Sequence, residues 1–259
     1  MSLEGSAING VNALVTGGGT GVGRAVCLKL AKSGAAGIAV NYSSSVDDAN
    51  ETVQAIEALG CKALAVKADV GSDSSVDNMA RNVFEEFGDI SILVNSAGAT
   101  RKIPIEDLDQ VQSDDWEKAF NINLIGAFRC IKAFKDSLAL KKGAVVNIAS
   151  IAGHRGIGSS LPYGTSKAAL IQMSRMLGRA LAPDIRVNSV SPATMDTRWL
   201  RELLGNEAAE AFFKQEGESI PMRRVSTPED VADAVVALLQ CQMVTGTDLV
   251  VDGGKHLVY

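Results

Sequence analysis

The feature that most constrains the fold is an alternation between short runs that are apolar throughout and longer stretches with apolar residues at helical spacing. The short runs, at 11–16, 37–42, 63–68, 90–95, 144–149, 185–190 and 248–251, are expected strands. The longer stretches are expected helices. The first carries Ala25, Val26, Leu28, Leu30 and Ala31 until Ser33-Gly34 stops it. Others are expected over 46–59, 76–87, 114–140, 162–182 and 228–239. Pro183 ends the fifth, and Pro228 with Glu229 and Asp230 opens the last, where a helix N-terminus favours proline and acids. A strand with one wet face alternates apolar and polar residues. A strand that stays apolar must be covered on both faces, so these runs predict a parallel sheet with helices on either side. The sequence has no repeat, low-complexity tract or linker, and one α/β domain over residues 1–259 is expected.

Bulk properties narrow the function. The formal charge of −5 argues against a surface built to wrap nucleic acid. Cys27, Cys61, Cys130 and Cys241 are widely spaced, without a metal-ligand or redox pattern, and read as small hydrophobes in a reducing, cytoplasmic setting. The first residues have no basic and apolar leader pattern, so no signal peptide is expected. No apolar run reaches the roughly 18 residues of a membrane span.

The chemistry begins between the first strand and first helix, at Gly17-Gly18-Gly19-Thr20-Gly21-Val22-Gly23. Glycine lets a pyrophosphate approach bare backbone, and the helix start offers free N–H groups to it. Gly17, Gly21 and Gly23 meet that need, although a cluster of glycines is also what a tight turn uses. Here the spacing is Thr-Gly-x-x-x-Gly-x-Gly. Further pieces follow in order: Asp69-Val70, Asn95-Ser96-Ala97-Gly98, Asn123, Ser150, Tyr163-Gly164-Thr165-Ser166-Lys167 and Ser191-Pro192. Together they resemble the short-chain dehydrogenase/reductase family over nearly the whole chain, which implies a doubly wound Rossmann sheet. Two departures stand out. Ser96 replaces a frequent Asn, and Ala193 replaces a frequent Gly, beside the expected nicotinamide site.

Tyr163 and Lys167 are four residues apart in a predicted helix and so share a face. An ammonium near a phenol is expected to lower its pKa from about 10, toward acid–base work near neutral pH. An isolated pair of this kind is usually a surface Tyr beside a solvated Lys. The resemblance implies more: Tyr163 exchanges a proton with the substrate oxygen, Lys167 tunes Tyr163 and bonds the nicotinamide ribose, and Ser150 holds the substrate oxygen. Asn123 would support a proton-relay water through the helix backbone. No metal is implied. His154, in the loop after Ser150, reads as a solvated loop residue.

The resemblance assigns cofactor contacts to Gly17, Thr20, Gly21, Val22 and Gly23, and to Asp69 and Val70 at the adenine. Asn95, Ala97 and Gly98, then Tyr163 and Lys167, then Pro192 and Thr194 complete them. At the end of the second strand, Asn41, Tyr42, Ser43 and Ser44 would meet the ribose. A carboxylate there would accept from the 2′-hydroxyl and repel a 2′-phosphate. Tyr42 stands in its place beside neutral donors, so NADP(H) is favoured. Thr20 replaces the Arg of many NADP-binding relatives, which leaves NAD(H) open.

The expected activity is hydride transfer between a nicotinamide and a carbonyl/alcohol pair. The nearest resemblance is to 3-oxoacyl-acyl-carrier-protein reductases, with a sugar-alcohol or other secondary-alcohol dehydrogenase as the alternative. A non-catalytic, dinucleotide-sensing protein is the remote one. A substrate lid is expected over 194–220, where Trp199, Leu200, Leu203, Leu204, Phe212 and Phe213 also fit core helices. Residues 99–112 and 153–161 would form other pocket walls. Arg101, Lys102 and Arg155 are candidates for docking an acyl-carrier protein. A homotetramer is implied, with 114–140 and 162–182 at one interface.

Overall fold

The computed structural model describes residues 7–196, 201 and 205–258. Seven strands, β1 (Asn12–Thr16), β2 (Gly37–Tyr42), β3 (Lys62–Lys67), β4 (Ile92–Asn95), β5 (Ala144–Ile148), β6 (Arg186–Pro192) and β7 (Asp248–Val251), form one sheet. Their order is β3-β2-β1-β4-β5-β6-β7, and every neighbouring pair is parallel. The helices α1 (Gly21–Lys32), α2 (Val46–Glu57), α3 (Asp73–Phe87), α4 (Ser113–Phe120), α5 (Ala127–Leu140), α6 (Leu161–Ala180), α7 (Asn206–Ser219) and α8 (Pro228–Gln240) accompany the sheet, with shorter helical turns between them.

The register explains the apolar runs. Ala13 and Val15 of β1 join Ile38, Val40, Val94 and Val146 in a core sealed by α1, α2 and α8. Leu14 points the other way, with Ala39, Leu93 and Val145, into a core sealed by α3 and α5. Successive side chains of one strand therefore serve two cores, and neither face can be polar. The chain leaves β1 toward β2 and later returns to β4 on its other side. That reversal opens a crevice at the carboxyl ends of the central strands, where doubly wound sheets bind ligands.

The predicted helix over 114–140 is interrupted. Asn121–Gly126 is a π-helical turn between α4 and α5. Its cause is local. The Asn123 side chain, buried in the turn, donates to the Ala99 carbonyl (3.0 Å) and to Ser166 Oγ (2.9 Å) and accepts from the Ala99 N–H (2.7 Å). Three inward bonds from one side chain favour a widened turn over a regular one. α3 begins three residues earlier than its apolar period suggests, because Ser72 caps it by accepting from Ser75 N–H.

Candidate active site

One cavity of about 1130 Å³ lies over the strand ends. Its floor begins at the glycine turn. Thr20, in extended conformation, precedes α1 and no side chain caps that helix, so the N–H groups of its first turn stay available. Gly21 has φ +50, lines the cavity, and has nothing within 4 Å of where a Cβ would stand. Gly23 is constrained from behind: a Cβ there would lie 2.1 Å from the Gly17 carbonyl oxygen. The turn is thus bare toward the cavity and jammed toward the sheet, a fit for a pyrophosphate at a helix N-terminus. Gly17, Thr20, Gly21 and Val22 line the cavity; Gly23 supports the turn from below.

The neighbouring walls hold most of the predicted cofactor residues. Asp69, Val70, Ala97, Gly98, Pro192 and Thr194 all line the cavity. Asp69 Oδ1 accepts from Gly71 N–H (2.8 Å). Asn95 is buried beneath the wall, and its amide nitrogen donates to Asn147 Oδ1 (2.9 Å). The Thr194 hydroxyl is bonded to Glu216 of α7 (3.0 Å). At the end of β2 the sequence reading needs correction. Asn41 is not a free donor: its amide nitrogen bonds the Ala68 and Val66 carbonyls (3.1 and 3.3 Å), and its oxygen accepts from Gly17 N–H (3.3 Å). It ties the glycine turn to β3. Asn41 and Ser43 line the cavity, whereas Tyr42 packs against the α1/α2 core, and neither Tyr42 nor Ser44 is on the lining.

The reactive side chains meet above β5. Ser160 caps α6 by accepting from Tyr163 N–H (3.3 Å), with Pro162 in the first turn, so Tyr163 emerges at the start of the helix. Lys167 follows one turn later. Its ammonium donates to the carbonyl of Ile148, the last residue of β5 (2.7 Å), and lies 5.7 Å from the centre of the Tyr163 ring. That bond binds α6 to the strand end from which Ser150 projects. Ser150 lines the same wall as Tyr163, where its hydroxyl favours the phenolate, and its Oγ accepts from Ala152 N–H (3.1 Å). Asn123 is close by but not on the lining; its side chain is spent on Ala99 and Ser166.

The electrostatics reverse one expectation. The Tyr163 phenol is raised above its ordinary value of 10, because burial outweighs the hydrogen bond from Ser150 that favours the phenolate. Burial also lowers Lys167 from 10.5 to about 8. Desolvation penalises both charged forms, and at this separation it exceeds their mutual attraction.

Several other residues differ from the sequence reading. His154 is exposed in its loop, as expected, but is not free: Nε2 meets Asp248 Oδ2 (2.7 Å), a buried carboxylate that also accepts from the Ser189 and Ser191 hydroxyls. Arg101 is occupied by Asp115 and the Gln110 carbonyl. Lys102 and Arg155 line the cavity. Of the predicted lid, Phe212 and Ser219 of α7 line it, while Trp199, Leu200, Leu203 and Leu204 lie outside the described residues. Cys27, Cys61 and Cys130 are buried free thiols, but Cys241 is exposed. Lys118, Ile122, Lys255 and Val258 also line the cavity, and no motif marks them. The last two arrive because Asp252 accepts from the backbone N–H groups of Gly254 (2.9 Å) and His256 (2.7 Å), folding the C-terminal segment back.

Comparisons with known proteins find relatives along nearly the whole chain. A family model described as enoyl-(acyl carrier protein) reductase matches residues 17–256. A chain named as ketoacyl reductase 2 of the granaticin polyketide synthase, from Streptomyces violaceoruber, is 36% identical over 247 residues, 95% of this chain and 96% of that one. A 3-oxoacyl-[acyl-carrier-protein] reductase from Staphylococcus epidermidis is 32% identical over 250 residues, 95% of this chain and 99% of that one. Among solved structures, L-sorbose reductase from Gluconobacter frateurii, complexed with NADPH and L-sorbose, superposes with a TM-score of 0.88 at 26% identity, covering 95% and 97% of the two chains.

Proposed function

The chain belongs to the short-chain dehydrogenase/reductase family of oxidoreductases, and on that premise we propose that it reduces a ketone to a secondary alcohol with Tyr163 as the proton donor. The observation that carries this reading is the pair of hydroxyls, Tyr163 and Ser150, on one cavity wall with the Lys167 ammonium 5.7 Å from the Tyr163 ring. A nicotinamide bound above the glycine turn would supply the hydride. Ser150 holds the carbonyl oxygen and Tyr163 gives it a proton as negative charge develops there. Burial keeps the phenol protonated at neutral pH, which suits the reductive direction. Lys167 bonds the nicotinamide ribose and, through the Ile148 carbonyl, fixes the distance between α6 and β5. Asn123 acts by holding the Ala99 backbone at the cavity wall.

NADP(H) is the favoured cofactor. At the end of β2 the lining carries Asn41 and Ser43 and no carboxylate, Ser43 offers a hydroxyl there, and the L-sorbose reductase carries NADPH. Residues 194–220 act as a lid. α7 supports this by resting on a small cluster of its own, Ala209, Phe213, Ile220 and Val225, apart from the two main cores. A homotetramer is supported by exposed Phe128, Leu140 and Met176 on α5 and α6. The buried free thiols fit a cytoplasmic enzyme. Among the described residues, no helix is long and apolar enough to cross a membrane.

The test is a hydride-transfer screen with NADPH and NADH on 3-oxoacyl thioesters, simple ketones and ketoses. The wild type should oxidise the reduced cofactor. Tyr163→Phe should lose roughly 100- to 10,000-fold in turnover, the range typical of a positioned acid, while cofactor affinity stays near wild type. Cofactor binding without turnover of any compound would favour a dinucleotide sensor, and an unaffected Tyr163→Phe would remove Tyr163 from this role.

A further inference from the structure

The wall that continues from Ser150 carries a guanidinium held in an unusual way. Arg155 follows the tight turn after Ser150, in which Gly153 N–H bonds the Ser150 carbonyl (2.9 Å) and Arg155 N–H bonds the Ile151 carbonyl (3.1 Å). Its Nη1 donates to two backbone carbonyls of the C-terminal segment, Lys255 (3.0 Å) and Val258 (3.1 Å). Nε and Nη2 have no partner among the described residues. The side chain is half-buried and lines the cavity. Ordering a long side chain costs conformational entropy, and here two carbonyl bonds have already fixed it. The edge left open, Nε with Nη2, presents two parallel N–H groups, the fork that matches a carboxylate.

The local charge balance points the same way. Among the described lining residues Asp69 is the acid, and it belongs to the adenine wall beside Val70. Lys255 is already neutralised by Glu216 of α7, and Lys167 is turned to the Ile148 carbonyl. Lys102 and Lys118 also line the cavity, from the 99–112 segment and α4, and have no ion pair among the described residues; Arg155 is the unneutralised lining cation nearest in sequence to Ser150.

We propose that Arg155 binds a carboxylate of the substrate, so that the physiological substrate is a small oxo acid whose ketone oxygen meets Ser150 and Tyr163. The inference rests on the carbonyl-reductase reading above. The reaction adds the hydride to the ketone carbon and the Tyr163 proton to its oxygen. The oxo acid and reduced cofactor thus become the hydroxy acid and oxidised cofactor, with the carboxylate unchanged. Within one tight turn the backbone advances about 2 Å per residue, so Arg155 stands no more than roughly 10 Å along the backbone from Ser150. That span suits a small molecule rather than the distant phosphate of a carrier protein's pantetheine arm.

The experiment compares 3-oxobutanoate with its ethyl ester and its N-acetylcysteamine thioester in wild type, Arg155→Gln and Arg155→Lys. The quantity read is the acid-to-ester ratio of kcat/KM, which a general loss of activity does not move. The wild type should prefer the acid by at least roughly 10-fold, and Arg155→Gln should lower the ratio roughly 10- to 100-fold, the worth of a charged hydrogen-bonded pair. Arg155→Lys should keep part of it. Equal or better use of the ester or thioester by the wild type, or an unchanged ratio in Arg155→Gln, would overturn the proposal. Calorimetric titration of 3-oxobutanoate and its ester into the protein saturated with oxidised cofactor gives the same comparison without turnover. Absence of hydride transfer on every compound would refute the reductase reading, while a binding preference for the acid lost in Arg155→Gln would still support the carboxylate site.

Discussion

Lys167→Met should uncouple the stability of this protein from its chemistry. Burial lowers the Lys167 ammonium from 10.5 to about 8. At 1.36 kcal/mol for each unit, holding that charge inside costs about 3 kcal/mol at neutral pH. The unfolded chain keeps the proton up to about pH 10.5 and the folded chain only up to about 8. Between those values the unfolded state binds more protons, so wild-type stability rises with pH across that window. Below about pH 8 the cost is complete, and above about 10.5 it is gone. Methionine has similar length and does not titrate. It forfeits the bond to the Ile148 carbonyl, a loss of about 1–3 kcal/mol that does not depend on pH. The variant should therefore be close to wild type or more stable at pH 7. From pH 8 to 9.5 the wild type should gain about 2 kcal/mol relative to it. The measurement is denaturant unfolding of both proteins without cofactor at pH 7, 8, 8.75 and 9.5, alongside turnover and cofactor affinity, which should both fall. A difference that stays constant over this range would refute the argument from burial. So would a variant less stable than wild type by more than about 3 kcal/mol at every pH, which would make the ammonium a net structural asset.

Gly23→Ala should abolish cofactor binding and lower stability by several kcal/mol, because the new methyl carbon would stand 2.1 Å from the Gly17 carbonyl oxygen; cofactor titration and thermal unfolding report both, and a fully active variant would mean that the turn relaxes freely. Ser43→Asp should shift the kcat/KM ratio from NADP(H) toward NAD(H), mainly by repelling the 2′-phosphate from the lining. Since Asn41 is engaged inward and the neutral donor at the lining is Ser43, the wild-type preference for NADP(H) should be modest, and a wild-type preference for NADH would overturn this account of β2.

The sequence by itself determined the strand and helix order, and with it the sheet. That pattern is legible because a strand buried on both faces has to be apolar at every position, as Leu14 and Val15 show by entering opposite cores. Through the family resemblance it also singled out Gly21, Ser150, Tyr163 and Lys167, all of which line the same cavity over the strand ends. Tertiary structure decided the rest, for three physical reasons. Hydrogen-bonding capacity is finite, so Asn41 and Asn123, polar groups apparently available to a ligand, are used up on the backbone of neighbouring segments. Desolvation depends on everything packed around a group, so the four-residue spacing of Tyr163 and Lys167 suggests a lowered phenol pKa where burial raises it. Contacts between distant segments leave no local pattern: Arg155 meets the Lys255 and Val258 carbonyls, and His154 meets Asp248, only because β7 lies beside β6 and the C-terminal segment folds back over the cavity.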